Sequence, residues 1–242
     1  TVEHASEQIQ ELILKTTFPK DLELEIFNEY KKMNVALVAV RSSATSEDSI
    51  EHAWAGQLDT FLNTSTENLI LNIQKCWASL YASRAIFYRF KNELDIISIS
   101  IAVIVQEMVQ SEISGIAFSV HPVSQDINEL IIEAGYGLGE AMVSGKVTPD
   151  SYIVKKDNLK IVDKYISTQN KKLVFSEKSK LNVWIDIFET DSNSQKLSDK
   201  QIQKLSKLII EIENFYFKPQ DIEWAYFQNE FYILQSRPIT TL

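Results

Sequence analysis

The sequence DIEWAYFQNEFYILQSRP, residues 221–238, carries the clearest fold signal in this chain. Two runs rich in β-branched and aromatic residues flank the polar break at residues 228–230, and this pattern predicts a β-hairpin. A three-residue loop would place Phe227 opposite Phe231. Near the turn both faces of the predicted hairpin are apolar. We therefore expect the hairpin to be buried in the protein and not laid on its surface.

The other end of the predicted hairpin is polar. The same register places Glu223 opposite Gln235 and Asp221 opposite Arg237. Because side chains alternate between the two faces of a strand, all four should project from one face. Carboxylate and amide oxygens suit a hard cation such as Mg²⁺, and a neighbouring arginine suits phosphate. An internal ion pair between Asp221 and Arg237 would explain the same residues without a ligand. The hairpin alone leaves both interpretations open.

The composition is that of a soluble globular protein. The chain has 242 residues, of which 45% are hydrophobic and 24% charged, enough for one large domain or two small ones. A formal charge of −9 argues against a nucleic-acid backbone or an anionic membrane as the main partner. The single cysteine, Cys76, excludes an internal disulfide framework and favours the cytoplasm. It lies in a helical pattern beside Trp77, so we expect a core residue and not a nucleophile.

Hydrophobic periodicity predicts both helices and strands. Helices are predicted over residues 5–15 and 20–33, and a longer helix is predicted to run from a capping box at Thr64 and Glu67 to about residue 90. The same capping pattern at Ser198 and Gln201 begins the last helix. Before the hairpin, strands are predicted over residues 35–40, 59–63, 99–105, 115–120, 130–134 and 152–154. From residue 99 the chain becomes mainly β.

An arginine and a run of small hydroxyl residues follow the first predicted strand. The apolar run at residues 35–40 leads directly into RSSATSED, residues 41–48. Arg41 can hold phosphate oxygens with two parallel N–H groups, and four hydroxyls can add donors. These are Ser42, Ser43, Thr45 and Ser46. A capped loop with one surface arginine has the same composition, so the pattern leaves both interpretations open.

Four of the six glycines fall within residues 135–145, where backbone geometry is therefore demanding. A dinucleotide fingerprint does not fit, because its last glycine would fall at Glu140. A P-loop does not fit either, because Val147 stands where Ser or Thr is required. The loop could cradle an anion with backbone N–H groups ahead of a helix. A tight turn that serves the fold is the alternative.

Taken together, these stretches resemble a known family. VAVRSSATSED at residues 38–48 and AGQLDTFLN at residues 55–63 are similar to the ATP-binding domain of phosphoenolpyruvate synthases, pyruvate phosphate dikinases and rifampicin phosphotransferases. Four further segments recur in that family in the same order: CWASLY (76–81), QEMV (106–109), the glycine loop through VSGKVTPD (143–150) and the hairpin. The resemblance covers roughly residues 35–155 and 220–240, and an ordered set of motifs is more specific than any single one.

The resemblance implies a fold and a first group of site residues. The family's fold is α+β and ATP-grasp-like, with the nucleotide held between two subdomains. In this chain the resemblance implies a first subdomain portion at residues 1–98 with the phosphate-binding loop. A second subdomain at residues 99–242 would carry the glycine loop and the hairpin. By resemblance, Arg41, Gly56 and Thr60 line the phosphate side, and Gln106 lies at the hinge beside adenine.

The hairpin supplies the second group implied by the resemblance. Glu223 and Gln235 correspond to the family's Mg²⁺-side ligands, with Asp221 as a further candidate. Arg237 corresponds to a phosphate contact. Metal bridging of phosphate oxygens, with arginine neutralising charge, is how such sites favour phosphoryl transfer. Arg41 and Arg237 are therefore the candidate catalytic residues.

The chain departs from the family pattern in two respects. The family's ATP domain starts earlier, with a glycine-rich segment that carries a phosphate-binding lysine. A mobile domain with a histidine in a Thr-Ser-His context, and an acceptor-binding domain, complete the family enzymes. We therefore expect the N-terminal part of the domain to be missing from this chain. We do not expect the chain alone to complete the family reaction.

The sequence predicts the ATP-binding portion of a dikinase-type phosphotransferase. Such an enzyme uses ATP and Mg²⁺ to phosphorylate a histidine elsewhere in the parent protein, and the phosphoryl group then passes to pyruvate to give phosphoenolpyruvate. Rifampicin is the alternative acceptor. A hypothesis of another class is a non-catalytic nucleotide-binding or scaffold module that lost the lysine-bearing segment.

Overall fold

The structure, a computed structural model, describes residues 1–45, 57–92 and 99–239 together with the backbone of 48–49 and 52–53. The chain divides into two compact units, Thr1–Met108 and Val109–Leu242. Both units combine helices with antiparallel strands, so the predicted α+β class is confirmed.

The first unit is built on a small sheet with helices. Within its described residues the elements are α1 (Val2–Lys15), α2 (Lys20–Met33), β1 (Val38–Ala44), β2 (Asp48–Ser49), β3 (His52–Ala53), β4 (Thr60–Thr64), a 3₁₀ turn (Thr66–Asn68), α3 (Leu69–Ser79), α4 (Ser83–Lys91) and β5 (Ile101–Glu107). β1 lies in the middle of a three-stranded sheet of order β4-β1-β5. The predicted helices at 5–15 and 20–33 are confirmed as α1 and α2.

The core of the first unit lies between this sheet and its helices. Val38 and Val40 of β1 are fully buried and cluster with Leu69, Ile73 and Cys76 of α3. The Cys76 thiol donates to the carbonyl of Val40 at 3.6 Å, and burial raises the pKa of this thiol to about 11. Cys76 is thus a protonated core residue, as predicted.

The long helix predicted from Thr64 to residue 90 is wrong, because the chain forms two helices with a break between them. The Thr64 hydroxyl donates to the carbonyl of Phe61 and accepts from the amide of Asn72, so it caps no helix. At the break, the buried guanidinium of Arg89 donates to the carbonyl of Leu80 at 2.6 Å. The arginine thereby satisfies a carbonyl that the broken helix leaves without an intrahelical partner.

The second unit is a larger sheet with one long helix. Within its described residues the elements are β6 (Ile113–Phe118), β7 (Glu129–Tyr136), α5 (Glu140–Val143), β8 (Asp150–Lys155), β9 (Ile161–Tyr165), β10 (Lys171–Ser176), β11 (Leu181–Asp186), α6 (Glu189–Ser192), α7 (Asp199–Tyr216), β12 (Gln220–Phe227) and β13 (Glu230–Pro238). The main sheet has the order β13-β12-β6-β7-β8-β9, and β10 and β11 form a separate hairpin. Ile202, Leu205 and Ile209 of α7 cluster with Ile132 and Trp224 of the sheet.

The boundary predicted between residues 98 and 99 falls ahead of the division that the structure makes. β5 pairs along its whole length with β1, from Ile101 opposite Ala44 to Glu107 opposite Val38. The change to β character at residue 99 therefore marks the last strand of the first unit and not the start of the second.

Across the described residues, no helix combines the length and the apolarity that crossing a bilayer requires.

α7 begins as predicted and ends in a strained position. The Ser198 hydroxyl accepts from the N–H of Gln201, and the Gln201 side chain accepts from the N–H of Ser198, which confirms the predicted capping box. At the other end Phe217 is the C-cap in the left-handed conformation, with φ of 54°, and its side chain is 91% exposed. The left-handed conformation is strained for phenylalanine but not for glycine. Because the Phe217 side chain is exposed, it gains no packing that would offset this strain.

We expect Phe217→Gly to raise the free energy of unfolding by about 1 kcal/mol, because glycine adopts this conformation without steric cost. Chemical denaturation measures the change. The matched control is Phe215→Gly, since Phe215 is 75% exposed but lies in the right-handed last turns of α7. That control should lose about 0.5–1 kcal/mol. Destabilisation of similar size in both variants would contradict the assignment of strain to Phe217.

Candidate functional site

The predicted hairpin exists as β12 and β13, but its turn differs from the prediction. The loop contains two residues, Gln228 and Asn229, both with positive φ of 49° and 67°. Phe227 therefore pairs with Glu230, and Phe231 pairs with Tyr226. Two-residue turns with positive φ at both positions match the twist of antiparallel strands, which explains why the shorter loop forms.

A β-bulge restores the predicted register at the polar end. Trp224 pairs with Ile233, but the next residue, Glu223, pairs with Gln235, so Leu234 is an additional residue in β13. The bulge compensates for the shorter loop. The predicted pairs of Glu223 with Gln235 and of Asp221 with Arg237 are confirmed.

The two strands of the hairpin differ in burial. In β12, Ile222 and Trp224 are fully buried in the cluster with α7. β13 is one of the two edge strands of the sheet, and its Tyr232 and Ile233 are 39% and 36% exposed. The predicted burial of the whole hairpin is therefore correct only for β12. The second strand forms the border of the sheet.

The polar side chains lie on the face of the sheet that is opposite α7. Since Ile222 and Trp224 point to α7, their neighbours Asp221 and Glu223 point the other way. Glu223 also pairs with Ile116 of β6, which in turn pairs with Glu133 of β7. Directly paired residues share a face. We call this face of the sheet the acidic face, defined by Glu133, Asp221, Glu223, Gln235 and Arg237.

The ion pair that was the alternative interpretation is present in the structure. Nε of Arg237 donates to Oδ2 of Asp221 at 2.9 Å, and a terminal nitrogen of the same guanidinium lies 2.9 Å from that oxygen. Burial raises the pKa of Asp221, the Arg237 charge opposes this rise, and the charge of Glu223 adds to it. The Arg237 side chain remains 30% exposed. Asp221 thus fixes the orientation of a guanidinium that still reaches the surface.

Three predicted site residues share one face of the sheet in the first unit. Arg41 pairs with Thr60 of β4 and with Ile104 of β5, while Gln106 pairs with Ala39. Because Val38 and Val40 point to α3, Arg41 and its partners lie on the opposite face. Ile104, on this same face, is 51% exposed. The face therefore combines an arginine, two polar side chains and an accessible aliphatic surface.

Part of the hydroxyl-rich loop serves the fold. The Ser42 hydroxyl donates to the carbonyl of Asp59 at 2.7 Å, and the Thr45 hydroxyl accepts from the N–H of Ser100 at 3.2 Å. The Ser42 hydroxyl proton is therefore used within the fold. The Thr45 hydroxyl is the acceptor in its bond and keeps its own proton as a donor, so its contact with phosphate stays a prediction. Gly56 and Ser46, which belong to the predicted phosphate side, lie outside the described residues.

The glycine loop forms a turn that is tied to its neighbours. Gly137 has φ of +91°, and a Cβ there would lie 2.5 Å from the carbonyl oxygen of Leu173, so only glycine fits. Its N–H donates to the carbonyl of Glu112, and the N–H of Leu138 donates to the carbonyl of Leu173. These two N–H groups are therefore not free for an anion. The alternative interpretation, a tight turn that serves the fold, is correct for this part of the loop.

The acidic face fits magnesium only in combination with a nucleotide. Among the described residues no group of three or more His, Cys, Asp or Glu side chains is placed to hold a metal ion by itself. Mg²⁺ is commonly bound through one or two carboxylates together with substrate phosphates, and it keeps several waters. The Glu223 carboxylate and the Gln235 amide match this requirement. The chemistry of the donors thus suits a cation that arrives with phosphate.

Glu133 is a residue of this face that the sequence analysis missed. It lies in β7 between Ile132 and Ala134, which are fully buried on the α7 side. Burial raises the pKa of Glu133, and the charge of Asp221 raises it further. Alternation in the run 130–134 could have indicated a half-buried acid facing away from the core. Its position next to Glu223 required the strand order.

Comparison with known proteins gives a family and named relatives. The family model of the pyruvate phosphate dikinase AMP/ATP-binding domain matches residues 1–242. Over 99% of its length the chain is 45% identical to a probable phosphoenolpyruvate synthase from Methanocaldococcus jannaschii, of which it covers 21%. Over 98% it is 41% identical to a phosphoenolpyruvate synthase from Pyrococcus furiosus, covering 31% of that protein. Over 98% of its length it is also 41% identical to a rifampicin phosphotransferase from Bacillus cereus, of which it covers 27%. The chain therefore spans less than a third of the length of each of these relatives.

Proposed function

This chain belongs to the pyruvate phosphate dikinase AMP/ATP-binding domain family, and on that basis we propose that it is the ATP-binding portion of a dikinase-type phosphotransferase. The nucleotide-binding fold we propose is ATP-grasp-like. The reaction we propose transfers a phosphoryl group from ATP to a histidine and then to pyruvate, giving phosphoenolpyruvate. The relatives named phosphoenolpyruvate synthase support this acceptor.

The observation that carries the proposal is the pairing of Glu223 with Gln235 next to Arg237 on the acidic face. In the proposed site the Glu223 carboxylate and the Gln235 amide oxygen bind Mg²⁺. Asp221 holds Arg237, whose guanidinium contacts phosphate. A cation bridging phosphate oxygens neutralises the charge that develops during phosphoryl transfer, and arginine adds to this effect.

The residues of the first unit have complementary roles in the proposal. Arg41 and Thr60 contact phosphate, and Gln106 lies beside adenine. The exposed side chain of Ile104 on the same face offers apolar surface against which a purine could pack. Gly56, which lies outside the described residues, stays a predicted phosphate contact. A bidentate guanidinium suits phosphate better than an ammonium does, so Arg41 is the more specific of these contacts.

The proposed reaction also requires parts supplied by a longer protein. We propose that a domain with a phosphorylatable histidine and an acceptor-binding domain work together with this chain. The small share of each relative that the chain covers supports this division. The Bacillus relative keeps rifampicin as an alternative acceptor. We place the reaction in the cytoplasm, with no nucleic-acid or membrane partner.

The test is Mg²⁺-dependent binding of ATP, measured by calorimetry on the chain and on its Arg41→Lys variant. We expect the variant to bind Mg–ATP about ten- to hundredfold more weakly, because lysine keeps the charge but loses one of the two parallel charge-assisted hydrogen bonds to phosphate, worth about 1.5–3 kcal/mol. Affinity for adenosine should stay unchanged, since only phosphate contacts are lost. Equal ATP affinity of both proteins would remove Arg41 from the site.

Transfer of the γ-phosphoryl group from labelled ATP distinguishes a non-catalytic module from the ATP-binding portion of an active enzyme. Incubation of the purified chain with γ-labelled ATP should leave no acid-labile phosphohistidine on it. Adding the rest of the parent protein should produce that label on the added part. Label on a histidine of this chain would contradict the proposed division of labour. The candidates are His4, His52 and His121.

A further inference from the structure

Glu133 lies in the same cross-strand row of the acidic face as Glu223 and Gln235. A row of directly paired residues crosses the sheet from Gln235 through Glu223 and Ile116 to Glu133. Two strand spacings, about 9.5 Å, separate the backbones of Glu223 and Glu133. Two glutamate side chains that lean toward each other over Ile116 can span this distance around one hydrated cation.

The surroundings of Glu133 leave its charge uncompensated. Its half-buried carboxylate has neither a hydrogen bond nor an ion pair within the part of the chain that the structure describes. By contrast Glu129, on the same strand and the same face, lies 3.3 Å from Nζ of Lys155. The nearby cation Arg237 is bonded to Asp221.

The charges around Glu133 indicate what would stabilise it. Burial and the charge of Asp221 both raise the pKa of Glu133. A partly desolvated carboxylate among other acids weakens the fold unless a cation joins it. A cation brought by the nucleotide would relieve this repulsion.

We propose that Glu133 is a further residue of the ATP site, whose carboxylate faces the magnesium ion of Mg–ATP together with Glu223 and Gln235. This inference rests on the proposed function of the acidic face. Mg²⁺ binds six oxygens and keeps several waters, so the Glu133 carboxylate would accept hydrogen bonds from those waters, beside the Glu223 and Gln235 oxygens. Among the described residues no three acidic side chains are placed to hold a metal ion by themselves, so in this proposal the two carboxylates and the amide bind a cation that arrives with the nucleotide.

The test uses Glu133→Gln, which removes the charge and preserves the shape. Without metal and nucleotide, we expect its melting temperature to be equal to or above that of the wild type, because repulsion from Asp221 is lost. With ATP, its affinity for Mn²⁺, followed by the electron paramagnetic resonance of the free ion, should fall about tenfold or more. ATP affinity in the presence of a chelator should not fall.

The matched control is Glu129→Gln, which removes the same charge from the same strand and face but breaks the contact with Lys155. It should leave Mn²⁺ affinity in the presence of ATP within about twofold of the wild type. Wild-type Mn²⁺ affinity in Glu133→Gln would overturn the role of Glu133 while leaving the proposed function intact. Absence of any metal-dependent ATP binding by the wild type would overturn both.

Discussion

Replacing Asp150 by alanine should lower the free energy of unfolding by about 3–5 kcal/mol, because it breaks a fully buried ion pair. Oδ1 of Asp150 lies 2.9 Å from Nζ of Lys196, and both side chains are fully buried. The carboxylate also accepts from the N–H groups of Ser167 and Lys196 and from the hydroxyl of Tyr152. Alanine would leave all of these donors without their acceptor.

The Lys196 ammonium would be the most costly of these groups. Its other contacts are the carbonyl of Ser167 and the ring of Tyr136, whose centroid lies 5.6 Å from Nζ. Neither carries a full negative charge that could replace the carboxylate. Burial and the bond to Asp150 raise the pKa of Tyr152, so its hydroxyl remains a neutral donor.

Urea-induced unfolding measures this effect. The matched control is Asp186→Ala, since Asp186 is 84% exposed and lies 3.8 Å from Lys171 in a surface pair. That variant should lose less than about 1 kcal/mol. The double variant Asp150→Ala with Lys196→Met should recover part of the loss, because it removes the stranded charge. Equal stability of the two single alanine variants would refute the structural role assigned to the buried pair.

The hairpin illustrates how far local pattern extends. Alternation along residues 221–238 predicts which residues share a face, and the pairing of Glu223 with Gln235 follows from it. The pattern does not reveal the two-residue turn, because Gln228 and Asn229 have positive φ without the glycine that usually signals such a turn. The bulge at Leu234 has no side-chain signal of its own. The polar end was predicted correctly because the two deviations cancel.

Contacts between residues that are far apart in the chain could not be predicted from the sequence. Arg89 satisfies the carbonyl of Leu80 at the helix break, and this partner depends on how α4 folds back. Asp150 meets Lys196 across 46 residues of chain, and neither position is marked by periodicity. Glu133 lies in the same cross-strand row as Glu223 because β6 pairs with both of their strands. Such contacts follow from strand order and packing, which single-sequence patterns do not specify.

Glu223→Ala should weaken Mg²⁺-dependent ATP binding about ten- to hundredfold while the fold survives. The carboxylate is the charged ligand of the proposed site, and a contact of this kind is worth about 1.5–3 kcal/mol. The side chain lies on the acidic face, whereas its neighbours Ile222 and Trp224 supply the packing against α7. Removing it therefore leaves the core of the second unit unchanged. Calorimetry with ATP, with and without Mg²⁺, measures the effect.

The control for this prediction is Glu230→Ala in the same hairpin. Glu230 lies beside the turn, at the end of the hairpin that is far from Glu223 and Gln235. Its side chain is 67% exposed, and its carboxylate lies 3.0 Å from Nζ of Lys204. We expect this variant to bind Mg–ATP as the wild type does. If Glu223→Ala instead keeps its ATP affinity and loses many degrees of melting temperature, Glu223 supports the fold and not the ligand. The acidic face would then be a structural charge network centred on the pair of Asp221 and Arg237.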